Sequence, residues 1–247
     1  MGVHSPEMPA TVRTFVARPG EFFERRADRL SGLRGAGLAA ALSLLIVLAL
    51  GVVLRLFSRQ FTGTTTVDNP AYPGDTFCED GGVGGTTPSG CDEPATVTVE
   101  ISALLWEEIT GTLPWLFVGV LVVWFGLAVA LHVGAWLGGG SGRFGATMEV
   151  AAWGLVPTAF VTAAAGVALV SFAAQADLAS ATPETLLSEV RTLQSGVSGL
   201  TFLLIQIVGA AWQAFVWAGG LRVAHELSRR AAVVVGVVVA TVPVVLS

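Results

Sequence analysis

The 247-residue chain has the composition of an integral membrane protein. Hydrophobic residues make up 53% of it, its mean hydropathy is +0.72 and only 13% of its residues are charged, about half the proportion found in soluble domains. The apolar residues lie in long blocks rather than in the short periodic patterns of a water-exposed core. These features exclude a water-soluble fold and make the bilayer the solvent in which the chain folds.

The charge of the chain is acidic, and no lysine contributes to it. All 13 basic residues are arginine, and 18 aspartates and glutamates leave a formal net charge of −5. This composition predicts a high-salt organism, in which carboxylates keep exposed surfaces hydrated; codon bias in GC-rich DNA is the alternative. Because no domain is strongly basic, we expect no nucleic-acid partner.

Residues 1–34 are polar and lack the cleavage site of a signal peptide, so we expect a retained cytosolic segment. Apolar residues in this segment recur at three- and four-residue steps and share one helix face. They are Phe15, Pro19, Phe22, Phe23, Ala27, Leu30 and Leu33. The pattern predicts an amphipathic helix at the membrane interface. Packing on the protein's own cytosolic loops is the alternative.

Five apolar segments are candidates for transmembrane helices. They cover residues 35–57, 113–137, 148–174, 197–221 and 231–246. At about 1.5 Å per residue, the first four are long enough for a hydrocarbon core of about 30 Å. The fifth is shorter, but its Val-rich sequence and the preceding pair Arg229 and Arg230 favour insertion. The predicted fold is an all-α integral membrane protein, whose membrane domain of five transmembrane helices covers residues 35–247.

The arginines predict the orientation of these spans. Ten lie on one side and three lie at or beyond the other, so the positive-inside rule places the N-terminus in the cytosol. With five spans the C-terminus is outside. The ten are Arg13, Arg18, Arg25, Arg26, Arg29, Arg34, Arg143, Arg222, Arg229 and Arg230, and the three are Arg55, Arg59 and Arg191.

Residues 58–112 form a long acidic outer loop, inserted between the first and second spans. Nine carboxylates oppose only Arg59, and the middle of the loop is rich in Gly, Thr and Pro. Such a stretch has too little apolar surface to fold as an independent domain. Residues 96–101 nevertheless alternate as a β-strand does. In the second outer loop, Thr182 and Pro183 predict the start of a short surface helix.

Both cysteines of the chain, Cys78 and Cys91, fall in the acidic loop. An oxidising exterior favours a disulfide, and closing about 14 residues stabilises the chain by roughly 3 kcal/mol in the entropy model. A metal site with Asp80, Asp92 and Glu93 is the alternative. It has weak support, since no His or C-x-x-C pair accompanies the thiols.

No motif for catalysis or cofactor binding is complete. The chain lacks the lysine of a nucleotide-binding P-loop, and Arg229 replaces the second histidine of an H-E-x-x-H zinc motif that begins at His225. The sequence GGSG at residues 139–142 resembles the serine motif of rhomboid intramembrane proteases. Ser141 would then need His132 or His225 as its base. A tight glycine turn between spans explains the same residues, so a rhomboid-like serine protease is a remote alternative.

Charged residues are absent from the central parts of the predicted spans, which argues against ion-coupled transport. Gln206 and Gln213 suit hydrogen bonds between helices. His132, Glu149 and Arg222, like Arg55, lie near span ends where they can snorkel. A transporter or channel-like component remains the alternative from another functional class.

Small residues repeat every four positions in the third and fourth predicted spans. They are Gly154, Thr158, Thr162 and Gly166 in the third, and Ala210, Ala214 and Ala218 in the fourth. Such faces let helix backbones approach closely and predict helix packing within the chain. Contact between copies in a homo-oligomer is the alternative. Pro157 lacks a backbone donor and predicts a kink in the third span.

Three parts of the chain resemble the Yip family, the Ypt/Rab-interacting integral membrane proteins, in a prokaryotic form of the haloarchaeal type. They are RPGEFF at residues 18–23, GGGSGRF at 138–144 leading into EVAAWGLVP at 149–157, and LRVAHELS at 221–228. The resemblance covers nearly the whole chain outside the loop insertion. It implies a five-helix fold with no known catalytic residues and no cofactor, and eukaryotic members associate with prenylated small GTPases. This chain lacks their long N-terminal domain.

The expected function is therefore that of a non-enzymatic, multi-pass protein of the cell membrane. We expect it to organise the lipid bilayer or membrane-protein partners. Neither the composition nor the resemblance identifies a substrate or a partner.

Overall fold

The computed structural model describes residues 10–78, 89–173 and 197–246. The elements in these residues are α1 (Ala10–Ala17), α2 (Pro19–Glu24), a 3₁₀ turn (Ala27–Arg29), α3 (Gly32–Ser58), β1 (Thr64–Asp68), α4 (Asp75–Cys78), β2 (Thr96–Glu100), α5 (Ile101–Leu137), α6 (Phe144–Trp153), α7 (Leu155–Ala173), α8 (Val197–Ala224) and α9 (Arg229–Leu246). The short helix predicted after Thr182 lies outside the described residues.

Within the described residues, four helices are long and apolar enough to cross a membrane: Gly32–Ser58, Ile101–Leu137, Phe144–Ser171 and Leu203–Ala224. Only 17% to 33% of the residues in their most apolar stretches are buried inside the protein. The rest of that apolar surface is not buried by the described part of the chain and suits lipid. The fifth predicted segment coincides with α9, which is not among these four, and its insertion stays a prediction.

The second long helix begins earlier than the sequence pattern predicts. Residues 101–112, assigned above to the acidic loop, form the first three turns of α5. At about 1.5 Å per residue, its 37 residues reach about 55 Å, well beyond a hydrocarbon core of about 30 Å. The turns that carry Glu107 and Glu108 therefore extend α5 past the apolar part of the helix.

The third predicted span consists of two helices, α6 and α7, which meet at Gly154. The N–H of Gly154 closes α6 by donating to the carbonyls of Val150 and Ala151. Pro157 follows within one turn and has no N–H to offer a preceding carbonyl. The interruption lies where the proline predicted a kink.

The acidic loop folds into a small hairpin beside the long helices. β1 and β2 pair antiparallel, from Thr64 opposite Glu100 to Asp68 opposite Thr96. Asn69 closes the far end of the hairpin, since its Nδ2 donates to the carbonyl of Pro94. β2 runs directly into α5, so the hairpin is attached to the start of that helix.

The predicted disulfide in this loop is confirmed. Cys78, at the end of α4, is bonded to Cys91, and their Cα atoms are 5.5 Å apart. The described residues include no free cysteine. Arg55 of α3 lies 4.8 Å from the ring centroid of Trp106 in α5, which connects the two helices beside the loop.

The N-terminal apolar face packs against the protein itself. Phe15, Phe22, Phe23 and Leu30 are at most 5% exposed, and α2 lies against α8. These residues of the face pack against the protein, whereas the position of the segment relative to the membrane interface stays a prediction. Ala27 and Leu33 are the exceptions, because both are exposed. The segment also divides at Arg18, because Pro19 begins a second short helix.

Candidate functional site

The segments that carry the family resemblance meet at one end of the helix bundle. We call this region, residues 18–23, 138–157 and 221–228, the three-motif end. Two glycines of α8 bring its parts together: a Cβ atom on Gly219 would lie 2.8 Å from the nitrogen of Gly20, and one on Gly220 would lie 2.5 Å from Val150 and 3.1 Å from Phe23. A larger side chain at either glycine would separate these elements.

Two histidines and one threonine form a buried hydrogen-bond network at the three-motif end. His225 directly follows α8 and is 1% exposed, and Thr147 of α6 is fully buried. The Thr147 hydroxyl oxygen lies 2.6 Å from Nε2 of His225 and 3.1 Å from Nδ1 of His132 in α5. The network therefore connects α5, α6 and the end of α8.

The backbone fixes the protonation pattern of this network. The N–H of Gly142 donates to Nδ1 of His225 at 3.1 Å, so that nitrogen is an acceptor and the neutral ring carries its hydrogen on Nε2. The Nε2–H then donates to the hydroxyl of Thr147. The Thr147 hydroxyl hydrogen is left for Nδ1 of His132, which is closer than the carbonyl of Arg143 at 3.5 Å.

The glycine turn is held to His225 by a second contact. The N–H of Ser141 donates to the carbonyl of His225 at 3.3 Å. Gly142 lies so close to the carbonyl oxygen of Ala224 that a Cβ atom would not fit there. Gly142 is therefore required for its small size as well as for its place in a turn.

Burial and, secondarily, the nearby His132 lower the pKa of His225 from 6.5 to about 4. Protonation of Nδ1 would place an N–H against the N–H of Gly142 and break that hydrogen bond. The unfolded chain titrates near 6.5 and binds the proton first, so the stability that His225 contributes is present above pH 6.5 and is lost as the pH falls towards 4.

We expect this titration to appear as acid sensitivity of the fold. The free energy of unfolding of the detergent-solubilised protein, measured by thermal unfolding, should be constant above pH 7. Between about pH 6.5 and 4 it should fall by on the order of 2 kcal/mol, after allowance for solvent screening. Removing the imidazole in His225→Gln should flatten the curve in that window. An equal acid transition in His225→Gln would contradict the assignment to His225.

The structure does not assemble the protease site that the GGSG sequence suggested. Both ring nitrogens of His225 are taken, by Gly142 and Thr147, and Nδ1 of His132 also binds Thr147. No hydrogen bond from the Ser141 hydroxyl to an imidazole is found in the described part of the chain. The same residues hold no group of three or more His, Cys, Asp or Glu side chains that could bind a metal ion.

Glu149 connects α6 to the start of α3. Its side chain is 6% exposed, and its carboxylate accepts a hydrogen bond from the N–H of Ser31 at 2.8 Å. Ser31 caps α3, because its hydroxyl accepts from the N–H of Arg34. Gly35 allows the close approach, since a Cβ atom there would lie 2.6 Å from the nitrogen of Glu149. The predicted snorkelling of Glu149 to the interface is therefore wrong.

An aromatic cluster anchors the N-terminal segment to α6. The ring of Phe22 lies 4.7 Å from that of Trp153 and 5.1 Å from that of Phe15. The guanidinium of Arg26 stands 3.9 Å from the centroid of Phe22, a cation–π contact. The apolar face of the RPGEFF motif is occupied by these contacts.

The predicted small-residue faces do not form one continuous interface. Gly154 faces the indole of Trp217, and this contact leaves no space for a Cβ atom on the glycine. Gly166 faces α3 instead, where a Cβ atom on Gly166 would lie 2.6 Å from the side chain of Val53. Thr162 and Ala210 are half-buried. Ala214 and Ala218 are buried, and both lie against Gly236 of α9. The seven residues thus contact several neighbours, and their role in packing stays a prediction.

Gln213 joins the fourth predicted span to the break in the third. Its Nε2 donates to the carbonyl of Gly154 at 3.0 Å and lies 3.3 Å from the hydroxyl of Thr158. This contact agrees with the interhelical role predicted for the glutamine. It also gives the helix end at Gly154 a donor from α8.

Thr147 is the central residue of the network, and no sequence motif identifies it. Its partner His225 lies 78 residues away, and His132 lies 15 residues away across the glycine turn. The one available signal is that His132 and His225 each lie near the predicted cytosolic end of a span.

The family model that describes the Yip1 domain matches residues 13–247. The match contains all three segments of the three-motif end. The search of curated proteins and the search of solved structures gave no match.

Proposed function

The chain belongs to the Yip1 domain family, and on that premise we propose that it is a non-enzymatic, multi-pass protein of the cell membrane that organises membrane or partner proteins. Its membrane location is supported by the four long apolar helices.

One observation supports a structural rather than a catalytic role: the buried polar side chains of His225, Thr147 and Glu149 at the three-motif end have hydrogen-bond partners within the protein. His225 binds Gly142 and Thr147, and Glu149 binds Ser31. Each contact connects two elements that are distant in sequence. A catalytic group needs an unpaired atom that faces a substrate; these atoms instead hold helix ends together.

The outer faces of the bundle are the surfaces left for partners. Large apolar side chains are exposed on each candidate span, for example Leu48 on α3, Val122 on α5 and Val208 on α8. In a bilayer such faces contact lipid, another membrane protein or a second copy of the chain. A helix bundle with these faces suits a protein that acts by association.

Photo-crosslinking on α5 tests this function. A photoreactive residue at exposed Val122 should give protein adducts in native membranes, whereas the same residue at Leu131, 0% exposed on the same helix, should give none. We expect no solute flux when the purified protein is placed in liposomes. Two results together would overturn the proposal in favour of a transporter. These are a saturable, protein-dependent flux of solute and crosslinks from position 122 to lipid but to no protein.

We also propose that the three-motif end faces the cytosol, as the arginine distribution indicates. Glu226, an exposed residue in the turn between α8 and α9, provides a labelling position in a Cys78→Ser/Cys91→Ser background. Cysteine at Glu226 should resist an impermeant thiol reagent in intact cells and react after lysis. Labelling before lysis would show that the three-motif end faces the outside. A separate variant with a single cysteine at Ser247 tests whether α9 crosses the membrane. Labelling of that cysteine in intact cells is expected.

A further inference from the structure

A cavity of about 340 Å³ lies at the three-motif end, between α2, α8 and α9. Three arginines, Arg18, Arg222 and Arg229, line it together with Glu21 and Glu24. Neither the hydrogen-bond network of His225 nor the aromatic cluster uses this cavity. It is a separate feature of the same end of the bundle.

The lining of the cavity changes from charged to apolar along the helices. Arg222 lies in the last turn of α8, and Arg229 is the first residue of α9. Phe215, seven residues before Arg222 and so about 10 Å deeper along the helix, and Val233 of α9 provide apolar wall. These two side chains are 49% and 44% exposed, so the apolar wall continues onto the outer surface of the bundle.

Two of the three arginines are available to a ligand. Arg18 is paired with Glu21, with 3.1 Å between guanidinium nitrogen and carboxylate oxygen. In the part of the chain that the structure describes, Arg222 and Arg229 have no ion pair, and both are exposed. The guanidinium of Arg222 extends over α2, where one of its nitrogens lies 4.0 Å from the Cβ position of Gly20.

This combination fits an anionic amphiphile. Guanidinium groups bind phosphate through paired hydrogen bonds, and basic pockets between helices at a membrane surface are suited to lipid headgroups. A soluble phosphate compound would use the arginines but would leave the apolar wall uncovered. An acyl chain would cover that wall. The volume, near the lower end of ligand-sized sites, is suited to a headgroup and the start of a chain.

We propose that this cavity binds the phosphate group of an anionic phospholipid in the adjoining leaflet. Arg222 and Arg229 bind the phosphate, and an acyl chain lies along Phe215 and Val233. The paired Arg18 and Glu21 close the side of the site that faces α2. The proposal rests on the membrane location of the protein and on no particular protein partner, so it stands or falls separately from the crosslinking result above.

Lipid retention by the full-length protein tests the site. Protein purified in a neutral detergent is mixed with phosphatidylglycerol and phosphatidylcholine of equal chain length, and the lipid bound to it is counted by native mass spectrometry. The wild-type protein should retain phosphatidylglycerol preferentially. Arg222→Gln and Arg229→Gln should each lower this preference about fivefold, the contribution expected of one arginine beside an anionic headgroup.

Arg230→Gln is the matched control, because Arg230 is the next residue of α9 but lines an apolar groove between α5 and α9 instead. It should keep the wild-type preference. All three variants should show the wild-type unfolding temperature in phosphatidylcholine alone, which excludes misfolding as the cause of lost binding.

Inorganic phosphate distinguishes the two sources of the ligand group. Millimolar phosphate should neither displace phosphatidylglycerol nor raise the unfolding temperature as the lipid does. Displacement by phosphate alone would overturn the lipid assignment in favour of a soluble anion. Equal losses in Arg230→Gln and Arg222→Gln would overturn the site itself, because they would show only a general attraction of anionic lipid to positive charge.

Discussion

Leucine in place of Gly154 is expected to destabilise the protein severely. Gly154 ends α6 directly against the indole of Trp217, which is 0% exposed. A side chain at this position forces α6 and α8 apart and disturbs the hydrogen bond from Gln213 to the Gly154 carbonyl. Overpacking of this kind costs about 1–3 kcal/mol or more. We expect an effect at the upper end, because the overlap begins at the Cβ atom.

The measurement is thermal unfolding in detergent together with the yield of monodisperse protein. A loss of about 3 kcal/mol lowers the unfolding temperature by roughly 6–12 °C for a chain of this length. Gly37→Leu is the matched control, since Gly37 is exposed on α3 and a Cβ atom there meets nothing within 4 Å. That variant should stay within about 2 °C of the wild type.

Trp217→Ala in the Gly154→Leu background provides a second test of the contact. The alanine makes room for the leucine, so the double variant should recover part of the loss. Gly154→Leu with the stability of the wild type, or a double variant whose losses simply add, would contradict the close packing of α6 on α8.

The long helices could be predicted from sequence because the bilayer leaves few alternatives. A backbone in hydrocarbon must satisfy its own hydrogen bonds, so runs such as residues 35–57 have to be helical. The start of α5 was missed for a related reason. Its first turns carry Glu107 and Glu108, which suit water as well in a helix as in a loop, and hydropathy therefore does not distinguish the two.

The surroundings of the N-terminal segment and the polar network could not be predicted. Phe22 and Phe23 form an apolar face that would suit lipid or protein equally, and only the position of Trp153 in the fold decides between them. Contacts such as that of Thr147 with His225 depend on how three helix ends meet. No periodic pattern in a single sequence predicts such a contact between helix ends.

The His225–Thr147 pair should show strong energetic coupling. His225→Leu leaves the half-buried N–H of Gly142 without its acceptor and the buried Thr147 hydroxyl without its donor. Since each buried group left unsatisfied costs about 1–3 kcal/mol, we expect a loss of about 2–4 kcal/mol. Thr147→Val keeps the shape of the side chain but removes the hydroxyl that joins both imidazoles, and it should cost about 1–3 kcal/mol.

The double variant His225→Leu/Thr147→Val distinguishes a hydrogen-bond network from ordinary packing. The first substitution already breaks the His225–Thr147 bond, so the second has less left to remove, and the combined loss should be smaller than the sum by about 0.5–3 kcal/mol. Ser43→Ala combined with His225→Leu is the control pair. Ser43 is buried on α3, and its hydroxyl has no hydrogen-bond partner among the described residues, so its effect should add to that of His225→Leu.

Additive losses in the His225–Thr147 pair, measured by thermal unfolding at pH 7.5 where His225 is neutral, would show that the network contributes packing alone. Coupling confined to this pair would show that hydrogen bonds through Thr147 hold the ends of α6 and α8 together.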